Sequence, residues 1–112
     1  MAKNYQQDGF TLDYLNSGTS NISSGDPVAV GEIVGVAHDD IPAGLWGTLH
    51  TAGVFILPKS SEIMLVGQKL YLAQGKLTGT EQDEEGAENP FAGTAWRSAS
   101  TEDDEIAVRL GY

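Results

Sequence analysis

The chain contains no cysteine, which excludes disulfides, thiolate nucleophiles and cysteine-ligated zinc or iron–sulfur sites. Histidine is almost as scarce. His38 and His50 are the whole supply, they flank a predicted strand, and neither stands at metal-ligand spacing from a second histidine. Basic residues are also few, 6 against 16 acids for a formal charge of −10. That balance repels DNA, RNA and anionic membranes unless the cations converge, and nothing in their spacing brings them together. No apolar run approaches the roughly 18 residues of a membrane helix, and no basic start leads into an apolar segment. Neither a membrane span nor a leader peptide is expected.

Catalytic motifs are missing too. There is no G-x-S-x-G elbow and no Ser-x-x-Lys, so a serine hydrolase has no visible nucleophile. Gly75-Lys76 is followed by leucine, where a phosphate-binding loop needs serine or threonine, and the glycines at 31 and 35 do not form a dinucleotide fingerprint. His38-Asp39-Asp40 sets an imidazole beside carboxylates, but neighbours in one tight turn seldom converge on a point. No enzyme, cofactor or metal site is expected.

What the sequence does hold is β grammar. Hydrophobic residues make up 40% of the chain and glycine contributes 14 residues, the composition of a globular fold with many tight connections. The length suits one domain: residues 9–112, preceded by a polar, flexible arm at residues 1–8. Strands are expected over residues 10–15, 28–30, 33–37, 70–72, 76–78, 91–96 and 106–110, with a short one near Ile22. The longest apolar stretch, residues 45–57, reads as one long broken strand or a pair. Pro27 follows the Ser24-Gly25-Asp26 turn and opens a strand, a position proline tolerates. Residues 60–66 predict the one short helical turn, capped by Ser61 with Glu62 in its first turn. The fold class is therefore all-β, a small glycine-rich β-barrel or β-sandwich with long polar loops. A weak echo links Ile33-Val34-Gly35-Val36-Ala37 to Phe91-Ala92-Gly93-Thr94-Ala95, as if two strand–turn–strand units faced each other in a nearly closed sheet.

The acids cluster in two runs, Glu81, Asp83, Glu84, Glu85 and Glu88, then Glu102, Asp103, Asp104 and Glu105. Their spacing departs from a calcium loop, so solvated loops too polar to pack are expected. Among the aromatics, Trp46 and Trp96 read either as core-border residues or as interface residues, since tryptophan favours places where its N–H finds a partner. Phe91 joins them, because a domain of this size does not need three such side chains in its own core. The arm alternates Lys3, Tyr5 and Gln7, a pattern suited to pairing with another protein's sheet edge.

Several segments in order carry a family resemblance: Ala2-Lys3-Asn4-Tyr5-x-Gln7-Asp8-Gly9, Ser24-Gly25-Asp26-Pro27-Val28-x-Val30-Gly31, Ile33-Val34-Gly35-Val36-Ala37, Gly53-Val54-Phe55-x-Leu57-Pro58-Lys59, Gly67-Gln68-Lys69-Leu70-Tyr71 and Val108-Arg109-Leu110. With these the chain resembles the small tailed-phage capsid decoration, or cement, proteins. The resemblance implies a structural protein on the outer surface of the virion head, assembled in the host cytoplasm. It also implies a trimer that clamps neighbouring subunits of the major capsid protein. Members are sometimes labelled predicted recombinases. The absence of a Walker loop and of a basic DNA groove argues against that label here. The alternative is a small β binding module with another partner, which would need a concave pocket lined by convergent polar groups.

Overall fold

The computed structural model describes residues 9–83 and 85–111. These build nine strands: β1 Thr11–Leu15, β2 Pro27–Val30, β3 Ile33–Ala37, β4 Trp46–His50, β5 Gly53–Pro58, β6 Lys69–Ala73, β7 Lys76–Thr78, β8 Phe91–Ala95 and β9 Glu105–Leu110. They form two antiparallel sheets, ordered β1-β4-β3-β2 and β5-β9-β8-β6-β7, one of them curled into a half-barrel. The fold is all-β, as the strand pattern predicts. The long apolar stretch divides at Thr51-Ala52 into β4 and β5, which belong to different sheets.

The two sheets are two copies of one design. In each, the first strand pairs with the last, β1 with β4 and β5 with β9, and the two middle strands fill the order in the same way. The connections repeat as well. Ile22 and Ile41 exchange backbone bonds of 3.0 and 2.8 Å across the first half, and Met64 and Ala99 exchange bonds of the same lengths across the second. Gly25 N–H donates to the Ala37 carbonyl as Gly67 N–H donates to Ala95, and Ala37 N–H returns to Asp26 as Ala95 N–H returns to Gln68. Gly25 and Gly67 hold φ values of +88° and +89°, a turn conformation that glycine enters without steric penalty.

The echo between residues 33–37 and 91–95 is therefore a repeat, since β3 and β8 hold equivalent positions and pack against each other. Their shared glycine has a steric cause. A Cβ on Gly35 would lie 2.9 Å from the Leu49 Cβ and 3.1 Å from the His50 carbonyl oxygen, and one on Gly93 would lie 2.0 Å from the Arg109 carbonyl oxygen. The units occupy separate sheets, however, and do not close into one. A register shift opposite Leu70 and Tyr71 marks where the second copy departs from the first.

Period-two alternation builds each core. In the first half Ala37, Ile41 and Leu49 are buried, with Tyr14, Ile22, Val28 and Val30 packed half-buried around them. The equivalent seven positions of the second half are Ala95, Ala99, Val108, Leu57, Met64, Leu70 and Leu72, and all are buried. Val34 and Val36 of β3 join that second cluster, which ties the sheets together. Fully burying a side chain of this kind contributes about 1.5–3 kcal/mol, so the second half carries most of the apolar stabilisation.

The predicted helical turn at residues 60–66 does not form. Met64 is buried and bridged to Ala99 while Ile63 and Leu65 point outward, which is strand alternation, and Glu62 is drawn away to bond Thr78 and Gly79. The first acidic loop is more organised than its polarity suggests. Gln82 bridges Glu88, and the Asp83 Oδ1 accepts the N–H groups of Glu85 and Ala87 at 2.9 Å each. In the second run Asp103 does the same for the N–H of Ser100. Short acidic side chains bond their own turns in this way.

Candidate interaction surfaces

The second sheet exposes apolar residues on its outer face. Strand β5 reads Gly-Val-Phe-Ile-Leu-Pro, apolar on both parities: Phe55 and Leu57 turn inward while Val54 and Ile56 turn out. Ile56 is 61% exposed. It stands opposite Ala107 of β9, whose carbonyl accepts the N–H of Trp96 at 2.9 Å. A row Ile56, Ala107, Trp96 therefore runs across β5 and β9 to the residue that follows β8, with Val54 and Arg109 in the next row. The Arg109 guanidinium lies 5.6 Å from the centre of the Trp96 ring, within range of a cation–π contact. Water is an unfavourable neighbour for such a row, and a partner that covers it gains roughly 25 cal/mol per Å² of apolar surface.

Of the residues singled out in the sequence, Trp96 belongs to this face and is 51% exposed. Trp46 lies on the other sheet. It is 68% exposed, at the first position of β4 opposite Leu15. Phe91 sits at the far end of β8 from Trp96, half-buried, with its ring edge-on to Tyr71 at 5.8 Å. It lines a cleft with Gly31, Glu32, Tyr71, Glu81 and Glu88. The three aromatics thus occupy three places and not one patch. Lys3, Tyr5 and Gln7 lie outside the described residues. Sequence reasoning missed Val54 and Ile56, although apolar residues at successive positions of a short strand are a signal for two covered faces.

Two polar sites hold the loops behind these surfaces. The side chain of Asn16, buried just past β1, donates to the carbonyls of Ser20 and Ile41 at 2.9 Å each. Its counterpart past β5 is Lys59, 4% exposed, whose ammonium donates to the carbonyls of Ser60, Ser100 and Asp103 at 2.9, 2.8 and 3.2 Å. Beside it, burial alone would raise the Glu62 carboxyl. Donation from the Ser60 hydroxyl, the Gly79 N–H and the Thr78 hydroxyl, with the charge of Lys59, outweighs that and holds it below the usual carboxylate range.

His38 and His50 do come together, ring nitrogens 2.8 Å apart, with the His50 ring tilted over Phe55. Among the described residues, however, no three histidine, aspartate or glutamate side chains are grouped to hold a metal ion. Nor is any helix there long and apolar enough to cross a membrane.

The described surface thus carries an exposed apolar row on the second sheet and a cleft beside Phe91. No curated protein and no solved structure matches the chain. A family model does, and it spans residues 6–110, both sheets and every connection between them. By that match the chain belongs to the phage cement proteins, with a structural role at the phage capsid.

Proposed function

We propose that this protein binds the outer surface of the assembled head, contacts the major capsid protein and stabilises the junctions between its subunits. The family match over residues 6–110 carries the reading. The exposed row Ile56, Ala107, Trp96 supports it, because it offers an apolar contact of the kind protein interfaces use. Residues 1–8 act as a capsid-contacting arm through Lys3, Tyr5 and Gln7. The active form is a homotrimer, in which Trp46 and Trp96, both exposed on one protomer, are covered by neighbours or by the capsid. A net charge of −10 directs the exposed acidic loops to solvent and away from nucleic acid.

The test is direct. Heads assembled without the protein are mixed with the purified chain, pelleted, and imaged by cryo-electron microscopy. Saturable density on the outer face at junctions of capsid subunits is the expected result. Absence of binding, or density confined to the interior, overturns the reading. Removing residues 2–8 should leave the melting curve unchanged and abolish head binding.

A further inference from the structure

Among the described residues, the second half of the duplicated fold contains one strand more than the first. Strand β7 pairs along the outer side of β6, Thr78 opposite Tyr71, Leu77 opposite Leu72 and Lys76 opposite Ala73, and Leu77 is fully buried in the core beneath. In the first half β2 takes the place of β6 and is the edge of its sheet. Among the described residues nothing pairs with its outer side. The Asp26 carbonyl accepts from Ala37 of β3, so backbone alternation turns the N–H and C=O of Ala29 away from β3 toward that open edge. Ala29 and Gly31 are the counterparts of Tyr71 and Ala73, which carry β7. The apolar residues below, Val28 and Val30, are half-buried, whereas their counterparts Leu70 and Leu72 are buried. The first half thus has the seat for a covering strand and, among the described residues, no strand in it.

We propose that β2 is completed in trans by an extended segment of another protein, added antiparallel along its free edge as β7 is added to β6. The segment's chemistry follows from the copy and from charge. Its central residue is aliphatic, in the place of Leu77, and rests on Val30 and Val28; its neighbours pair with Ala29 and Gly31. Asp26 and Glu32 flank the edge, and Glu32 shares its cleft with Glu81 and Glu88. A segment with lysine or arginine beside the aliphatic residue is therefore favoured, and the β2 edge of a second copy, which brings the same Asp26 and Glu32, is disfavoured there by like charge. Main-chain hydrogen bonds supply the register and the one inserted side chain the selectivity, as in other strand additions. Resting on the head-binding reading, we assign the segment to the capsid subunit.

The experiment uses the full chain on assembled heads. Ala29→Pro removes an N–H that faces outward from an edge strand, so the β2–β3 ladder is untouched and the melting curve should not move. Its affinity for heads should fall at least tenfold. Two further measurements stand if that variant folds poorly. Amide exchange at Ala29 and Gly31 of the unmodified protein should slow on decorated heads, and a benzophenone on Ala29→Cys, the only thiol in the chain, should cross-link to a capsid-subunit peptide with an aliphatic residue beside lysine or arginine. Head binding with unprotected β2 amides, or a cross-link to a second copy, overturns this inference alone. Absence of head binding by the unmodified chain overturns the head-binding reading together with it.

Discussion

The two halves of the molecule share a frame and differ in finish. Residues 11–50 and 53–110 supply the two sheets with matching strand orders, yet seven core positions that are all buried in the second half are buried at only three places in the first. The first-half residues are not polar: Val28, Val30, Ile22 and Tyr14 are as suited to a core as Leu70, Leu72, Met64 and Leu57. What differs is cover. The second half has β7 with Leu77 and, buried beneath its loops, the Lys59 ammonium with its three carbonyl acceptors, where the first has the Asn16 amide with two. A β unit of this size can therefore stand half-finished when its neighbour supplies the stability.

That comparison can be tested by making the same change in each half and reading urea midpoints. The largest difference is expected at the paired glycines. Gly93→Ala places a methyl 2.0 Å from a backbone oxygen, which no side chain can relieve, and should cost about 4 kcal/mol or more. Gly35→Ala meets the Leu49 Cβ at 2.9 Å and a backbone oxygen at 3.1 Å and should cost about 1–3 kcal/mol. Equal losses would mean that the halves are equally tight.

Next come the core pairs. Leu70→Ala removes a fully buried side chain and should cost about 2–5 kcal/mol. Val28→Ala, at a half-buried position, should cost about 1 kcal/mol. If binding to heads covers β2, the Val28 change should cost more in decorated particles than in free protein.

The loop anchors follow. Lys59→Ala strips donors from the carbonyls of Ser60, Ser100 and Asp103, and leaving such groups unpaired should cost about 3 kcal/mol in total. Asn16→Ala frees two carbonyls and should cost about 2 kcal/mol. A smaller loss at Lys59 than at Asn16 would show that water replaces the ammonium.

The smallest effect belongs to Glu62 and is read against pH. Its folded carboxyl lies below the ordinary value of 4.5. Its contribution is therefore fully present above that value and is lost as pH falls through the folded pKa. Glu62→Gln should flatten the acid limb of the stability curve as pH falls through and below the ordinary value of 4.5, while lowering stability at neutral pH. An unchanged acid slope would place the sensitivity in other carboxylates.

Strand positions and the class of fold were legible because alternation and glycine punctuation are local. So was the equivalence of residues 33–37 and 91–95, though only through Gly35 with Gly93, where a Cβ would meet its neighbours, and Ala37 with Ala95, both buried. The rest of the duplication was not legible, since Ile22 with Met64 and Asn16 with Lys59 share a task but not a side chain. The failed helical turn at residues 60–66 shows the same limit. Ser61 and Glu62 are good local helix signals, but the carboxylate's partners lie at Thr78 and Gly79, distant in sequence. The outer face at Val54 and Ile56 is readable from the unbroken apolar run of β5, since apolar residues on both parities signal two covered faces. Trp96 was recognisable as a candidate, while its row with Ile56 depends on a register that only the paired strands reveal.

Because each sheet is built from consecutive strands, β1 to β4 and then β5 to β9, the order of synthesis has a physical meaning. Every pairing partner of the first sheet has been made once His50 has left the ribosome, whereas the second sheet cannot close until Leu110 pairs with Gly53. Bringing those residues together closes a loop of more than half the chain, a slow step in folding. Until then Val34 and Val36 face solvent without the cluster that later buries them. The early sheet thus waits as a template, and the surface on which β8 later settles is present before β8 exists.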